Sequence, residues 1–313
     1  MHDIMKRLII IMVIIPLVYS AYAQRKIILD ADTGNEMDDL YAISYMLAMA
    51  DCELIALSSA HFNNVDLLTD SMWNAYPTRN INTVQISYDL NRELLKYTSR
   101  TDVKCLMGAN KIIGRAWGGN EPRPSEASMT MIREALKMEE GEKLIVFTLG
   151  ALTNVTSAII ENPEIEKKIV LYMMGANYNP ENGAWNKSEF NVRNDLNAFD
   201  YLLNSDVEMH IMTASTSWAF KFDKAKTLAR LRSGTKLDTM LAERWKHVNA
   251  GNNWIMWDLA MLIAYFKPAF VTEKQVLTPP ENKQRSVYVY TELDPVKMED
   301  HFWEIYSGAF QKK

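Results

Sequence analysis

The sequence predicts an α/β fold, in which a mainly parallel open sheet carries helices on both faces. Short apolar runs of strand length alternate with longer segments of helical spacing from residue 26 to the end of the chain. Polar residues follow several of the predicted strands, and an open parallel sheet binds its ligands at the carboxyl ends of its strands. We therefore expect the functional residues to collect along one edge of the sheet.

Residues 1–23 have the pattern of a secretory signal peptide. Lys6 and Arg7 precede an apolar run over residues 8–18, and Ala21-Tyr22-Ala23 forms a small-x-small cleavage site. Because the apolar run is short for a membrane span, we expect cleavage and no stable span in the mature protein. The sequence thus predicts one domain over residues 24–313 in a periplasmic or secreted protein.

Composition and charge exclude some classes of partner. The net charge is −5 and the chain contains no basic block, which argues against binding to nucleic acid. Hydrophobic residues make up 48% of the chain, enough for a large core. Cys52 and Cys105 flank strand-like runs, so we expect buried free thiols, with a single disulfide as the alternative in an oxidising compartment.

The first predicted strand, 27–29, leads into a segment that contains four aspartates. Asp30 and Asp32 lie two positions apart on an extended segment and face the same way, while Asp38 and Asp39 lie where the next helix begins. Carboxylates that converge in this way repel one another unless a cation lies between them. A set of oxygen ligands without Cys or His suits calcium or magnesium. The alternative is that Asp38 and Asp39 only complement the helix dipole.

This segment resembles the hallmark of the inosine-uridine nucleoside hydrolase family, Asp-x-Asp-Pro-Gly-x-Asp-Asp after the first strand. Here Thr33 replaces the proline, and Asn35-Glu36-Met37 stands where the family usually has one residue, so the loop is two residues longer. The resemblance implies a nucleoside hydrolase-like, Rossmann-like fold, a bound Ca²⁺ ion, a nucleoside substrate and a homodimer or homotetramer.

Two strand ends in the first half of the chain carry further candidate residues. The strand 53–59 ends in a polar segment, in which the resemblance implies that Asn63 contacts the ribose hydroxyls. The strand 143–148 is followed by a match to the family motif Gly-x-Leu-Thr-Asn, which implies that the backbone carbonyl of Thr153 binds the calcium. Helix capping would also explain Thr153, and a turn would explain the polar segment.

A helix over 83–97 and a short strand over 103–107 lie between these two motifs, and a long loop over 108–125 follows them. The loop places Trp117 beside two glycines, which suits a mobile flap that lays an aromatic face on a planar ligand. Packing of Trp117 in the core is the alternative.

Glu189-Phe190-Asn191 follows the predicted strand 169–174. The alternation predicts that both polar side chains face one way while the ring packs the other way. The resemblance implies that Glu189 and Asn191 contact the sugar, particularly its 5′-hydroxyl.

A late apolar helix, predicted over 253–266, contains Trp257 and Asp258. An aspartate in so apolar a helix is costly unless it is paired or bound to a cation. The resemblance implies that Asp258 closes the calcium shell and touches the ribose. Many family members have histidine at the position of Trp257, but the purine-preferring branch has tryptophan, which stacks on the purine. Trp257 could instead be an ordinary core residue.

The remaining elements follow from short apolar runs and from helical spacing. They are strands over 207–212, 275–277 and 286–291, a charged helix over 223–232 and a terminal helix over 301–310.

Taken together, the resemblance implies calcium-dependent hydrolysis of the N-glycosidic bond of ribonucleosides, with purine nucleosides favoured. Asp32 would be the catalytic base. The implied metal ligands are Asp32, Asp39, Asp258 and the carbonyl of Thr153. The implied substrate contacts are Asp38, Asn63, Glu189 and Asn191 on the sugar, with Trp257 and Trp117 on the base.

Two other functions are compatible with parts of the pattern. The run from Leu29 to Thr33 also resembles the start of a haloacid-dehalogenase-type magnesium phosphatase, with Asp30 as nucleophile and Asp32 as acid. The phosphatase alternative gives Asp38 and Asp39 no role. An exported protein that binds nucleosides without turnover would use the same pocket, and the longer loop and missing histidine favour it.

Overall fold

The computed structural model describes residues 25–63, 81–231, 234–247 and 251–311, so the predicted signal peptide lies outside the described residues. The strands are β1 Arg25–Ala31, β2 Cys52–Ser59, β3 Lys104–Leu106, β4 Leu144–Thr148, β5 Ile169–Met174, β6 Asn177–Asn179, β7 Ala184–Asn186, β8 Glu208–Met212, β9 Lys221–Asp223, β10 Asn253–Ile255, β11 Val271–Leu277 and β12 Ser286–Leu293.

The helices alternate with these strands. They are α1 Asp38–Ala48, α2 Thr83–Tyr97, α3 Glu126–Leu136, α4 Thr153–Glu161, α5 Phe190–Asn194, α6 Leu196–Asn204, α7 Ala214–Ser217, α8 Lys224–Arg230, α9 Lys236–His247, α10 Trp257–Phe266 and α11 Pro295–Phe310. Two short 3₁₀ helices cover Pro163–Lys168 and Pro268–Phe270.

The main sheet has eight strands in the order β11-β12-β8-β5-β4-β1-β2-β3. Every neighbouring pair is parallel except β11 and β12. The predicted mainly parallel sheet is therefore confirmed. The chain moves to one side of β1 to form β2 and returns to the other side to form β4, so the strand order reverses between β1 and β4. A doubly wound sheet opens its crevice at such a point.

The central strand β1 is buried on both faces, and its two faces belong to different cores. Ile27 and Leu29 pack in the core formed with α1, α10 and α11. Ile28 packs in the core formed with α3, α4 and α6. A continuous apolar run is what a parallel strand covered by helices on both sides requires.

Two predicted helix boundaries are corrected by the structure. The helix expected to begin at residue 253 begins at Trp257, because Trp254 and its neighbours pair with β9 as an antiparallel strand. The terminal helix begins at Pro295 and not at residue 301, since Asp294 caps it and Pro295 occupies its first turn. Cys52 and Cys105 are free, and only Cys52 is buried.

Within the described part of the chain, no helix is both long enough and apolar enough to cross a membrane.

Candidate active site

A cavity of about 260 Å³ opens where the strand order reverses. It lies beyond the carboxyl ends of β1, β4 and β5, and the start of α10 forms another part of its wall. Six of the residues that line it are acidic: Asp32, Glu36, Asp38, Asp39, Glu189 and Asp258. The prediction that carboxylates converge at this edge of the sheet is thus confirmed.

Three of these carboxylates form a compact group. One oxygen atom from each of Asp38, Asp39 and Asp258 lies within 4.8 Å of the others, and all three side chains are buried. Burial, followed by repulsion from neighbouring carboxylates, raises the pKa of Asp39 and of Asp258 well above the usual range. Such a group is stabilised either by protons or by a bound cation.

Several oxygen atoms in the cavity wall have no hydrogen-bond partner. They include Oδ2 of Asp32, Oδ1 of Asp39 and Oε2 of Glu36, all of which are shielded from solvent. Buried oxygens without a partner are costly, and an oxygen-binding cation would satisfy those of Asp32 and Asp39. The donor set therefore fits a hard divalent ion.

Asp38 is held more firmly than its neighbours. Its Oδ2 accepts a hydrogen bond from the backbone N–H of Asp258 at 3.0 Å, and its Oδ1 accepts one from the indole of Trp254 at 3.4 Å. Burial raises its pKa to about 6 despite these hydrogen bonds. Asp38 therefore links the start of α1 to the start of α10.

The turn after β1 places Asp32 against the turn after β4. The backbone N–H of Asn35 donates to the carbonyl of Asp32 at 2.7 Å and closes the first turn. On the other side, a Cβ at Gly150 would lie 2.9 Å from the side-chain atoms of Asp32. Only glycine allows so close an approach of these two loops.

Asp30 does not line the cavity. Its carboxylate accepts from Ser58 Oγ at 2.6 Å and from Asn154 Nδ2 at 3.0 and 3.1 Å. Burial raises its pKa to about 6. Asp30 therefore supports the cavity wall from behind and ties β1 to β2 and α4.

Glu189 and Asn191 both line the cavity, although the local structure differs from the predicted alternation. Glu189 caps α5, accepting from the N–H groups of Asn191 at 3.0 Å and Val192 at 3.1 Å, and Phe190 also lines the cavity. The expectation that the ring packs away from the polar groups is therefore wrong. Burial raises the pKa of Glu189 to about 7. The amide of Asn191 donates to the carbonyl of Leu149 at 2.8 Å.

Trp257 is the aromatic residue at the start of α10 and lines the cavity beside Asp258. It is partly buried, and its ring centroid lies 5.8 Å from that of Trp218. Its indole N–H lies beside the carboxyl group of Glu36 and lowers the pKa of that group, against the stronger effect of burial. An aromatic face at the wall of a polar cavity suits stacking with a planar ligand.

Three residues named from the sequence do not line this cavity. The hydroxyl of Thr153 donates to Asp195 at 2.5 Å, and as the first residue of α4 its carbonyl is directed along the helix. The amide of Asn63 donates to the carbonyl of Asn110 at 2.7 Å, in a separate depression. Trp117 is 81% exposed, which also excludes its packing in the core.

The cavity residues that the sequence analysis did not name as candidates include Leu149 and Glu36. Leu149 follows β4 directly, and the only signal for it was its position before Gly150. Glu36 belongs to the two-residue extension of the aspartate loop, which the family pattern treats as an insertion.

Comparisons with known proteins agree with this architecture. A sequence model described as inosine-uridine preferring nucleoside hydrolase matches residues 27–299. The uncharacterized protein C1683.06c of Schizosaccharomyces pombe is 25% identical over 227 residues, a match that spans 66% of each protein.

Solved structures of nucleoside hydrolases share the fold. The plant nucleoside hydrolase PpNRh1 superposes with a TM-score of 0.69 at 17% identity, over 90% of this chain and 98% of that one. The purine-preferring ribonucleoside hydrolase of Gardnerella vaginalis gives a TM-score of 0.69 at 20% identity, over 92% of this chain and 100% of that one.

Proposed function

Because the chain belongs to the inosine-uridine preferring nucleoside hydrolase family, we propose that it hydrolyses the N-glycosidic bond of ribonucleosides to free base and ribose. The predicted family and hydrolase class are confirmed by that membership. Calcium as the resident ion and a preference for purine nucleosides are the further parts of the proposal. The observation that carries it is the group of buried carboxylates, with unpartnered oxygens, beside an aromatic residue in one cavity.

The ion would be held by Asp32, Asp39 and Asp258. Thr153 does not line the cavity, whereas Leu149 does. We therefore propose the carbonyl of Leu149, which also accepts a hydrogen bond from Asn191, in place of the carbonyl of Thr153. When bound, a divalent cation lowers the pKa of the water that attacks the sugar. Oxygen ligands alone favour calcium or magnesium, and the resemblance of the aspartate loop favours calcium.

Asp32 is suited to act as the general base. Its Oδ2 lies in the cavity wall without a partner and accepts a proton from the attacking water. The water oxygen then forms a bond to the anomeric carbon, and the base leaves with the electrons of the glycosidic bond. The remaining carboxylates stabilise the positive charge that develops on the sugar in the transition state.

The rest of the cavity would hold the two halves of the substrate. Asp38, Glu189 and Asn191 offer hydrogen-bonding groups to the sugar hydroxyls. Trp257 offers its face to the base, and the fold shared with an enzyme described as purine-preferring supports this assignment. Trp117 and Asn63 lie outside the cavity, so we assign them no contact with the substrate.

The phosphatase alternative finds little support in the position of Asp30. A nucleophile must reach its substrate, but the Asp30 carboxylate is enclosed by Ser58 and Asn154 and does not line the cavity. The nucleoside-binding alternative uses the same cavity and differs only in the absence of turnover. We also propose an exported protein, from the pattern of residues 1–23, and a homodimer or homotetramer, from the family resemblance.

The test is release of free base and ribose from inosine, guanosine, adenosine, uridine and cytidine by the mature protein. We expect release from purine nucleosides, loss of release with a chelator, and recovery with added Ca²⁺ but not Mg²⁺. Recovery with Mg²⁺ alone would replace the assigned ion. Saturable binding of inosine without any base release would support the binding protein instead.

A further inference from the structure

Glu36 is a partly buried carboxyl group in the cavity to which the proposed mechanism gives no individual role. It lies in the extension of the aspartate loop. Arg244 holds this loop in place, because its Nη2 donates hydrogen bonds to the carbonyls of Gly34 at 2.9 Å and Asn35 at 3.1 Å. The added residues therefore form a fixed part of the wall. A carboxyl group that a hydrogen-bonded loop holds at a cavity wall is well positioned to bind a ligand.

The carboxyl group of Glu36 lies beside the indole of Trp257, whose N–H lowers the pKa of that group against the stronger effect of burial. Its Oε2 has no hydrogen-bond partner and is shielded from solvent. A buried oxygen without a partner is costly, so Oε2 is available to a hydrogen-bonding group of a ligand in the cavity.

The position of Trp257 identifies which part of the ligand would provide that partner. A planar base that stacks on the indole presents its edge to groups bound at the edge of the indole. Glu36 is such a group, because its carboxyl group lies beside the indole N–H. The polar sugar contacts Glu189 and Asn191 come from a different part of the chain, the start of α5.

We propose that Glu36 forms a hydrogen bond with the edge of the nucleobase and thereby sets the base preference of the enzyme. This inference rests on the proposed function, since it needs a nucleoside with its base on Trp257. The ligand class is a heterocyclic base with a polar edge atom, and the contact is one hydrogen bond to Oε2.

The substitution that tests this role is Glu36→Gln. Glutamine retains the shape of the side chain and replaces one carboxyl oxygen with an NH₂ group, so only the charge and the hydrogen-bonding character change. We expect kcat/KM for inosine to fall by about 10- to 100-fold, the range for one hydrogen bond to a charged group. The ratio of kcat/KM between inosine and adenosine should change as well, because their base edges differ.

Two further measurements separate base recognition from other roles. Hydrolysis of 4-nitrophenyl β-D-riboside, whose leaving group has no purine edge, should fall much less than hydrolysis of inosine. Inhibition by free hypoxanthine should weaken, while inhibition by ribose should not. Glu134→Gln is the matched control, since Glu134 is a buried glutamate on α3 that is paired with Lys137.

Some outcomes would overturn this role. An equal loss of kcat/KM for inosine and for the nitrophenyl riboside would mean that Glu36 acts on the sugar or on the bond that is broken, and not on the base. A loss of Ca²⁺ affinity in calorimetry, with an unchanged ratio of kcat/KM between inosine and adenosine, would make Glu36 a metal ligand. If the wild type itself releases no base, the proposed function fails. In that case tryptophan fluorescence on binding of inosine and adenosine tests the Glu36 contact separately.

Discussion

Arg244 Nη2 lies 2.9 Å from the carbonyl oxygen of Gly34, a residue 210 positions earlier in the chain. This contact joins α9 to the loop that carries the cavity carboxylates. The positive charge of Arg244 also lowers the pKa of Asp39, against the stronger effect of burial. Arg244 therefore stabilises both the conformation of the loop and the ionised form of Asp39.

The first prediction concerns Arg244→Ala. Loss of two hydrogen bonds to loop carbonyls should lower the free energy of unfolding by about 1–3 kcal/mol. It should also lower kcat/KM by about tenfold, because the carboxylates lose their positions. Urea unfolding and initial rates with inosine measure the two effects. Arg285→Ala removes a similar bond, to the carbonyl of Leu202 at 2.8 Å outside the cavity, and should affect stability alone. Equal kinetic effects of both substitutions would contradict the role given to Arg244.

The second prediction concerns Asp32→Ala. Removal of the general base should lower kcat by about 10³-fold or more, since proton transfer contributes on that order. Rates are measured with inosine, and metal content by elemental analysis. The exposed ion-pair residue Asp102 provides the control Asp102→Ala. An Asp32→Ala protein that keeps both its metal content and its turnover would remove Asp32 from the mechanism.

The third prediction concerns Thr153→Ala. The Thr153 hydroxyl bridges Asp195 at 2.5 Å and His61 at 2.8 Å, so its loss should destabilise the fold by about 1–3 kcal/mol. Turnover below the melting temperature should change little, because Thr153 does not line the cavity. Thr153→Ser keeps the hydroxyl and should recover most of the stability. A large loss of Ca²⁺ affinity in Thr153→Ala would restore the role implied by the resemblance.

The contrast between Thr153 and Leu149 illustrates what the sequence could and could not predict. The motif after β4 was recognisable from its match to the family pattern, and the structure adds that its glycine allows the close approach to Asp32. Which residue of the motif lines the cavity depends on where α4 begins, and the first residue of that helix is Thr153 itself. A carbonyl within a regular helix is directed toward its own helix.

The aspartates were predictable because their spacing and their strand-to-helix context are local features. Glu36 was not, since its neighbour Trp257 lies 221 positions away and only the packing of α10 against the loop brings them together. The sheet topology followed from the alternation of apolar runs. The start of α10 did not, because the pairing of β10 with β9 overrides the helical spacing of residues 253–255.

The fourth prediction is a pH dependence of stability that arises from His301. Its ring hydrogen-bonds to Tyr45 at 3.0 Å, and burial, followed by repulsion from Lys267, lowers its pKa. The unfolded chain therefore binds more protons than the folded chain at pH values between the lowered pKa and the ordinary value of about 6.5. Across that window His301 contributes an increase in the free energy of unfolding as pH rises, while the buried carboxyl groups with raised pKa contribute a decrease. Urea unfolding at about pH 5 and about pH 7 should therefore show a change in free energy that is more positive for the wild type than for His301→Gln. An equal change in both proteins would exclude a contribution from His301.

The last prediction concerns removal of the proposed metal ion. With Asp38, Asp39 and Asp258 buried within 4.8 Å of one another, an empty site leaves their mutual repulsion uncompensated at neutral pH. A ligand that binds only the folded state at 100 times its Kd adds about 2.7 kcal/mol to the free energy of unfolding. A chelator should therefore lower Tm by several degrees, and added Ca²⁺ should restore it. In Asp258→Asn the repulsion is smaller and the site lacks one charged ligand, so the same additions should shift Tm much less. An unchanged Tm in the wild type would mean that protons and not a cation compensate these carboxylates.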